Sequence, residues 1–577
     1  MRLGSGAFAA TCVAIEVVGV AIFLRGFFPA PVRSSRTEDK LEPPAPEPAA
    51  GTSSNWTKLP PPLFSKAVIV LIDALRDDFV FGSKGVKYMP YTTYLVEKGA
   101  SHSFVAEAKP PTVTMPRIKA LMTGSLPGFV DVIRNLNSPE LLEDNVIRQA
   151  KAAGKRIIFY GDETWVKLFP KHFMEYDGTT SFFVSDYTEV DNNVTRHLDR
   201  VLKRGDWDIL ILHYLGLDHI GHISGPNNPL IGHKLREMDS ILMKIHASLL
   251  SKERETLSPN LLVLCGDHGM SESGSHGASS KEEVSTPLIL ISSAFERRPG
   301  DIRHTKHVQQ TDLAATLAIG LGLPIPKDSV GSLLFPVVEG KPIREQLRFL
   351  HLNTVQLSKL LQENVPSYEK DPGFEQFKMA ERLHGNWVKL HLEENNSDVL
   401  IGLGTKVLRQ YLGALKTLSL SLSTQVAQYD IYSMAVGTVV VLEGNSNNIA
   451  TIDVSAGFVG LDTYMEVPAT FLTVFGTYVG PVLWASHLAH FLSSETSSGS
   501  ALRCACFCYA LICSVPVATY IILVTSLRYH LFIWSVFSPK LLYEGMHLLI
   551  TAALCVLFTA MDQSGPTRVC LKTDTCS

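Results

Sequence analysis

Short apolar runs rich in β-branched residues alternate with helix-like stretches from residue 66 onward. This alternation is typical of an α/β fold in which a mostly parallel sheet is flanked by helices. Each run is almost continuously apolar, as expected for strands that are buried on both faces. The predicted strands are 67–72, 156–160, 208–212, 261–264 and 288–291.

Polar residues that can bind a metal follow four of these predicted strands. In strand order they are Asp73, then Asp162 and Glu163, then His213 and Asp218, then Asp267 and His268. Open α/β sheets bind their ligands beyond the carboxyl ends of the strands. The agreement of four strands therefore predicts a functional site at that edge of the sheet.

The amino-terminal part of the chain predicts a membrane anchor and a linker. Residues 7–24 are apolar over about the length needed to cross a bilayer and are interrupted only by Glu16. The small-residue cleavage pattern of a secretory signal is not clear downstream, so we predict an uncleaved transmembrane anchor over residues 1–28, with a cleaved signal peptide as the alternative. Residues 29–62 are rich in Pro, Ser, Ala and Glu, which predicts a disordered linker because this composition buries little apolar surface.

The remaining sequence divides into three predicted regions. Residues 63–345 contain all the predicted strands and form the catalytic domain, and the amphipathic residues 346–428 form a helical extension. Residues 429–577 form a carboxyl-terminal helical membrane region. Its apolar stretches lie near 468–492, 507–526 and 541–560.

Charge and glycosylation sequons narrow the choice of partners and compartment. The formal net charge is −4 and the basic residues are scattered, which argues against nucleic acid as a partner. Sequons at Asn55, Asn193 and Asn395 predict glycosylation and place the central region in a lumen or outside the cell. The positive-inside rule favours the opposite orientation, since Lys and Arg are commoner after the first apolar stretch than before it.

Two sequence segments have the spacing of metal ligands. Asp218 and His222 are four residues apart, which places a carboxylate and an imidazole on one side of a helical turn. Asp267 and His268 lie in a glycine-flanked turn, and His276 supplies another nitrogen eight residues later. Mixed ligation by Asp and His predicts zinc, with manganese as the alternative.

Thr114 is the predicted nucleophile. It precedes a predicted helix over 115–122 with proline in its first turn, where a threonine can also serve merely as a helix cap. A metal-bound hydroxyl at this position could attack phosphorus while the helix amino end stabilises the phosphate oxygens. Thr112 is the alternative nucleophile. Each candidate taken alone has an ordinary structural explanation, and it is their joint occurrence that favours a metal site.

Four motifs, VLIDALRDDF, KPPTVTMPR, HYLGLDHIGH and CGDHGMSESGSHG, resemble those of the GPI ethanolamine phosphate transferases in the alkaline phosphatase superfamily. The resemblance covers residues 66–277 and extends more loosely into the apolar tail. It implies an alkaline-phosphatase-like fold and two divalent metals. The implied ligands are Asp218, His222 and His276 for one metal, and Asp73, Asp267 and His268 for the other, with Thr114 bridging towards the second.

The resemblance also implies the reaction and its setting. Thr114 would take phosphoethanolamine from phosphatidylethanolamine and pass it to a mannose hydroxyl, on the second mannose, of the GPI precursor lipid. The implied location is the endoplasmic reticulum membrane, with a lumenal catalytic domain and a membrane-protein subunit that stabilises the chain. Arg76 and Lys109 could bind the phosphate, and Asp162 or Glu163 the ethanolamine ammonium.

Two other functions remain open from the sequence. A phosphodiesterase would use the same ligands with water as the acceptor. A non-catalytic membrane subunit or regulatory variant is the second alternative, because the region 429–577 is shorter than the membrane region of the family. A sulfatase is disfavoured, since such enzymes use Cys or Ser where this chain has Thr114 before Met115-Pro116-Arg117.

Overall fold

In this computed structural model of the chain, the main range of described residues runs from 58 to 426. Short stretches at 18–19, 21–22, 32–34 and 44–48 are described as well. The gaps within the main range are 129–130, 132–134, 136–137, 182, 257, 296–305 and 394–397. Almost all of the predicted anchor and all of the predicted membrane region 429–577 lie outside the described residues. Residues 30–428 form one compact unit. Within the described part, no helix combines the length and the apolar character needed to cross a bilayer.

Eight strands form one mixed sheet. They are β1 (Ala67–Ile72), β2 (Ser101–Glu107), β3 (Ile157–Asp162), β4 (Glu175–Thr179), β5 (Ile209–Tyr214), β6 (Leu261–Cys265), β7 (Ser285–Ile291) and β8 (Lys306–Gln309). Their order across the sheet is β4-β3-β5-β1-β6-β7-β2-β8. Strand β7 is antiparallel to both β6 and β2, and the other described pairs are parallel.

The five predicted strands are confirmed as β1, β3, β5, β6 and β7, and each is buried along its whole length. Strands β2, β4 and β8 are not predicted by the sequence pattern. These three strands are partly exposed and contain charged and polar residues, so their sequences lack the continuous apolar pattern. Strands β4 and β8 form the two edges of the sheet.

The described helices lie between and after the strands. They are α1 (Asp77–Phe81), α2 (Ser83–Tyr88), α3 (Pro90–Lys98), α4 (Thr114–Thr123), α5 (Val146–Ala152), α6 (Thr164–Leu168), α7 (Glu189–Thr195), α8 (Leu198–Lys203), α9 (Gly216–Ser224), α10 (Pro229–Thr256), α11 (Lys281–Val284), α12 (Asp312–Gly320), α13 (Ile343–Asn364), α14 (Pro372–Glu393) and α15 (Asp398–Val426). Two short 3-10 turns occur at Phe335–Val337 and Tyr368–Lys370.

Two hydrophobic cores lie on opposite faces of the sheet. Successive strand residues point to opposite faces, and accordingly Ala67, Ile69 and Leu71 of β1 belong to one core and its other three residues to the second. The first core continues into α13, α14 and α15, where it includes Trp387 and Tyr411. These three helices therefore share a core with the sheet.

Glu175 is the main electrostatic contact at the β4 edge. It accepts hydrogen bonds from Arg200, from the Tyr160 hydroxyl at 2.5 Å and from Nη1 of Arg204 at 2.5 Å. The hydrogen bond from Arg200 is the largest cause that lowers the pKa of Glu175 to about 2, and the bonds from Tyr160 and Arg204 add to it. The ionised carboxylate therefore stabilises this edge.

We expect Glu175→Gln to remove part of the acid sensitivity of the fold. A carboxylate with a depressed pKa stabilises the folded state above its ordinary pKa of 4.5, and this stabilisation is lost as the pH falls towards about 2. Thermal unfolding of the full chain in detergent, followed from about pH 6 to pH 2, should show a smaller loss in the variant. Glu255→Gln, at an exposed position of α10, should follow the wild type. Parallel curves for Glu175→Gln and the wild type would contradict this account.

Candidate active site

Three neighbouring parallel strands bring together metal-capable residues that were predicted at their carboxyl ends. Asp73 directly follows β1, His213 is the fifth residue of β5, and Asp267 comes two residues after the end of β6. Strand β1 lies between β5 and β6, with Leu71 paired to both His213 and Cys265. The carboxyl ends of the three strands therefore meet at one edge, as predicted from the positions of these residues.

Asp73, Asp267 and His268 form one compact group of buried side chains that could bind a metal. Nε2 of His268 is 3.3 Å from Oδ1 of Asp73 and 3.3 Å from Oδ2 of Asp267. None of these three atoms has a hydrogen-bond partner among the described residues. Buried polar atoms of folded proteins normally have a hydrogen-bond partner. Oxygen and nitrogen atoms that converge without one, as here, fit the ligands of a cation. The other oxygen of Asp267 accepts the backbone N–H of Ala74 at 3.2 Å, which orients the carboxylate.

The second group consists of Asp218, His222 and His276. Their ligand atoms lie within 4.8 Å of one another. Helix α9 carries the first two on one face, and Nε2 of His222 is 3.2 Å from Oδ2 of Asp218. Nε2 of His276 is 3.5 Å from Oδ1 of Asp218 and 3.1 Å from Nε2 of His222. One carboxylate and two imidazoles in this arrangement fit a second divalent cation.

Asp191 fixes the helix that carries two of these residues. Its Oδ1 accepts the backbone N–H groups of Leu215 and Gly216, each at 3.0 Å, at the start of α9. Its Oδ2 is 2.8 Å from Nζ of Lys234, so the buried charge is paired. Asp191 could not be predicted from the sequence, because it is distant in sequence from α9 and belongs to no ligand spacing.

Thr114 is the first residue of α4, and its side chain acts on the carboxylate of Asp73, whose pKa it lowers. The cap position of this helix is Val113, so the hydroxyl does not serve as the cap. The side chain of Asn135 instead accepts the backbone N–H of Met115 at 3.1 Å, a contact that no sequence motif predicts. Thr114 is half-buried. Its hydroxyl is therefore placed against one predicted ligand at the positive end of a helix.

Thr112 has a structural role in place of the alternative nucleophilic one. Its buried hydroxyl donates to the carbonyl of Ala278 at 2.7 Å and accepts the N–H of Gly277 at 2.9 Å. Its carbonyl is 2.8 Å from Nδ1 of His276 and accepts the ring N–H. Thr112 therefore holds the loop that presents His276, and its hydroxyl is fully used in doing so.

The electrostatics of the site are those of crowded carboxylates and imidazoles. Burial raises the pKa of Asp73 well above its usual value, and the nearby charges of Asp267 and Asp218 raise it further. Burial also lowers the pKa of His276 well below its usual value, with a further contribution from the His268 imidazole. Like charges this close in a buried site disfavour ionisation, whereas a divalent cation would favour it.

The two predicted phosphate-binding cations are engaged with carboxylates. Nε of Arg76 is 2.8 Å from Oδ1 of Asp78, and its Nη1 is 2.8 Å from Oε1 of Glu272. Nζ of Lys109 is 2.8 Å from Oε1 of Glu107, and both side chains are partly exposed. The structure brings neither cation into the group of Asp and His ligands.

Of the two predicted ammonium-binding acids, Asp162 interacts electrostatically with the predicted ligand Asp73. Its charge is among the causes that raise the pKa of Asp73. Burial raises the pKa of Asp162 itself to about 6, although its Oδ1 accepts the N–H of Thr164 at 2.9 Å. Glu163, in contrast, is partly exposed and is 2.7 Å from Nζ of Lys167. The structure gives Glu163 no contact with the predicted ligands.

One of the three predicted glycosylation positions is described. Asn193 lies in α7 and is half-buried. Asn55 and Asn395 lie outside the described residues. Their glycosylation, and that of Asn193, remains a prediction.

Comparisons with known proteins divide the chain into two parts. The family model described as Type I phosphodiesterase / nucleotide pyrophosphatase matches residues 67–284, which contain every predicted ligand and Thr114. The model described as GPI ethanolamine phosphate transferase membrane region matches residues 406–564. The human protein named GPI ethanolamine phosphate transferase 2, catalytic subunit, is 51% identical over an alignment that covers 98% of this chain and 100% of the human protein.

The chain belongs to the GPI ethanolamine phosphate transferase family. This membership confirms the resemblance inferred from the four motifs and the prediction of an enzyme class. The alignment to the human member runs over 982 positions, more than the 577 residues of this chain, so it crosses gaps. The GPI ethanolamine phosphate transferase 2 of Schizosaccharomyces pombe is 38% identical over 70% of this chain and 53% of its own length. This chain thus spans about half the length of that fungal relative.

The match of residues 67–284 also confirms the predicted alkaline-phosphatase-like α/β fold, with a sheet that is mixed because of β7. Among solved structures, the alkaline phosphatase PafA aligns with 48% of this chain and 99% of its own. The sequence identity is 11% and the TM-score is 0.37. The membrane part of the predicted architecture lies outside the described residues.

Proposed function

We propose that this member of the family transfers phosphoethanolamine from phosphatidylethanolamine to a mannose hydroxyl of the GPI precursor. The second mannose is the acceptor that the family resemblance implies. The observation that supports the proposal is that the half-buried Thr114 acts on Asp73, which belongs to one of two groups of Asp and His side chains whose possible ligand atoms converge. The names of the human and fungal relatives support the same transfer.

The first step forms a covalent intermediate on Thr114. Its Oγ1 bonds to the phosphorus of the lipid phosphodiester, and the bond from phosphorus to the diacylglycerol oxygen breaks. The hydroxyl proton leaves towards the neighbouring carboxylate of Asp73, and the diacylglycerol oxygen takes up one proton. The amino end of α4 begins at Thr114 and adds a favourable partial charge beside the phosphate.

The second step reverses the first with a different alcohol. The mannose oxygen bonds to phosphorus, and the bond between phosphorus and Thr114 breaks. The Thr114 oxygen takes up the proton of the mannose hydroxyl, which restores the threonine hydroxyl. When bound, two divalent cations supply positive charge that activates the attacking oxygen and stabilises the leaving one. The side chains that would hold them are Asp73, Asp267 and His268 at one position and Asp218, His222 and His276 at the other. Zinc suits this donor set best, with manganese as the alternative.

The proposed setting is the endoplasmic reticulum membrane, with the catalytic domain in the lumen and a stabilising membrane-protein subunit as partner. The family membrane region and the lipid nature of both substrates support a membrane location. Glycosidase treatment tests the orientation. A mobility shift that disappears when Asn55, Asn193 and Asn395 are all replaced by glutamine supports a lumenal domain, and a chain that never shifts argues against it.

The transfer is tested in membranes that contain the chain, with phosphatidylethanolamine labelled in its ethanolamine group and a GPI precursor with unmodified mannoses. Label on the second mannose supports the proposal. Label found only in free phosphoethanolamine shows a phosphodiesterase that uses water, and absence of both products shows a non-catalytic chain. Each of these two outcomes would overturn the proposed function.

The same assay tests the proposed site for the ethanolamine ammonium. We expect Asp162→Asn to raise the KM for phosphatidylethanolamine by about tenfold, because it removes a charge-assisted contact, and to change kcat less. Glu163→Gln is the matched control. It removes a neighbouring carboxylate that pairs with Lys167, and it should leave KM unchanged. Equal KM values for both variants and the wild type would rule out this role of Asp162.

A further inference from the structure

His213 lies beside the group formed by Asp73, Asp267 and His268, although it belongs to none of the ligand spacings in the sequence. Its side chain is completely buried, and its Nε2 is 3.3 Å from Oδ2 of Asp73. The candidate ligand atoms of His213, Asp73 and Asp267 lie within 4.8 Å of one another. By distance alone, His213 would count as a ligand of the metal at this position.

The contact between Trp165 and His213 determines where the imidazole proton lies. The indole nitrogen always carries a hydrogen and can only donate. Nε1 of Trp165 is 3.0 Å from Nδ1 of His213, so Nδ1 accepts and carries no proton. A charged imidazolium has N–H groups on both nitrogens and could not accept this bond. The ring is therefore neutral with its proton on Nε2, the atom that faces Asp73.

Two of the three predicted ligand histidines, His276 and His268, have the opposite arrangement. Nδ1 of His276 is 2.8 Å from the carbonyl of Thr112, and Nδ1 of His268 is 2.9 Å from the carbonyl of Gly269. A carbonyl can only accept, so both rings carry their proton on Nδ1 and present a bare Nε2. A metal ligand needs such a free lone pair, and its orientation is usually fixed by a hydrogen bond from the other nitrogen.

We propose that His213 is a positioning residue and not a metal ligand. Its Nε2–H faces Oδ2 of Asp73 at 3.3 Å, and this leaves Oδ1, 3.3 Å from Nε2 of His268, as the oxygen that faces the cation. Trp165 acts one step further out by keeping the proton on Nε2 of His213. Among the described residues Nε2 of His213 has no hydrogen-bond partner, and Oδ2 of Asp73 at 3.3 Å is the acceptor that the proposal assigns to it. The inference rests on the proposed function only for the part of its test that measures transfer.

The test measures zinc binding to the purified full chain in detergent, by metal analysis and by competition with a chelator. His213→Leu should retain two zinc ions per chain, with the weaker site bound about 10-fold to 100-fold less tightly, as is typical when a partner of a ligand is lost. His213→Gln keeps an N–H donor and should restore most of that affinity. His268→Gln, which removes a predicted ligand, should retain only one ion.

Substitution of the tryptophan gives an independent readout. Trp165→Phe keeps an aromatic ring in the core but removes the indole N–H, and we expect it to weaken the same site about as much as His213→Leu. Trp207→Phe is the matched control, because Trp207 is equally buried and its indole donates to the carbonyl of Val201, remote from the proposed ligands. It should leave zinc affinity unchanged.

Each other outcome overturns the inference. Loss of one zinc ion in His213→Leu would make His213 a ligand, and unchanged affinity in that variant or in Trp165→Phe would remove the positioning role. A wild-type chain that binds no zinc or manganese would leave nothing to position. These measurements need no substrate, so a chain that binds two ions but transfers nothing would contradict the proposed function and leave the assignment of His213 intact.

Discussion

Replacement of Thr114 by alanine is expected to lower kcat for phosphoethanolamine transfer on the order of a thousandfold or more, since it removes the nucleophile. The expected loss is chemical and not structural. The six predicted ligands are unchanged, so the variant should still bind two metal ions. Transfer of labelled phosphoethanolamine in membranes, together with metal analysis of the purified chain, checks both halves of this expectation.

Thr114→Ser is the matched control, because serine keeps a hydroxyl at the first position of α4. It should retain measurable transfer and form the covalent intermediate. If Thr114→Ala kept a tenth or more of wild-type turnover, the nucleophile would be another group. Thr112 would not be the next candidate, because its hydroxyl is already bonded on both sides.

Replacement of His268 by alanine is expected to cost a comparable factor in kcat, on the order of a thousandfold. Nε2 of His268 lies 3.3 Å from a carboxylate oxygen of Asp73 and from one of Asp267. Without the imidazole, these two buried carboxylates lack the third predicted ligand of their metal. The expected accompanying change is the loss of one bound ion. Transfer assays with and without added zinc measure the effect and show whether excess metal rescues it.

His307→Ala provides the control for this second prediction. His307 is an exposed residue of β8 at the far edge of the sheet, so its loss should change neither transfer nor metal content. Wild-type activity in His268→Ala would mean that Asp73 and Asp267 suffice, and the assignment of His268 to their metal group would then be wrong.

The central strands could be predicted from the sequence because burial on both faces leaves a local signature. Strands β1, β5 and β6 are continuous apolar runs, and the sheet order places them side by side. Strand β2 could not be predicted in this way, since its sequence SHSFVAE begins with polar residues and is only partly buried. Its place in the sheet depends on pairing with β7 and β8, which are distant in sequence.

The predicted ligands could be named from the sequence because their spacing within each motif is local. Asp218 and His222 are on one helical face, and Asp267 and His268 are adjacent. The supporting residues could not be found in this way. Asp191 acts on α9 through two backbone N–H groups that only the folded chain brings near it.

The role of His213 likewise required the structure. In the sequence it is one of several metal-capable residues at the end of a strand, and spacing cannot distinguish a ligand from a neighbour of a ligand. Its contact with Trp165, which is 48 residues away in sequence, assigns the proton and therefore the role. Hydrogen-bond direction at one ring nitrogen is a tertiary property that no sequence motif records.

The proposed two-metal chemistry depends most directly on the number of divalent cations that the six predicted ligands hold beside Thr114. Metal analysis of the purified full chain, of His222→Ala and of Thr114→Ala measures this number. We predict two ions per chain in the wild type, two in Thr114→Ala and one in His222→Ala. A wild-type chain that binds no divalent metal, or a His222→Ala variant that keeps two ions, would contradict the account.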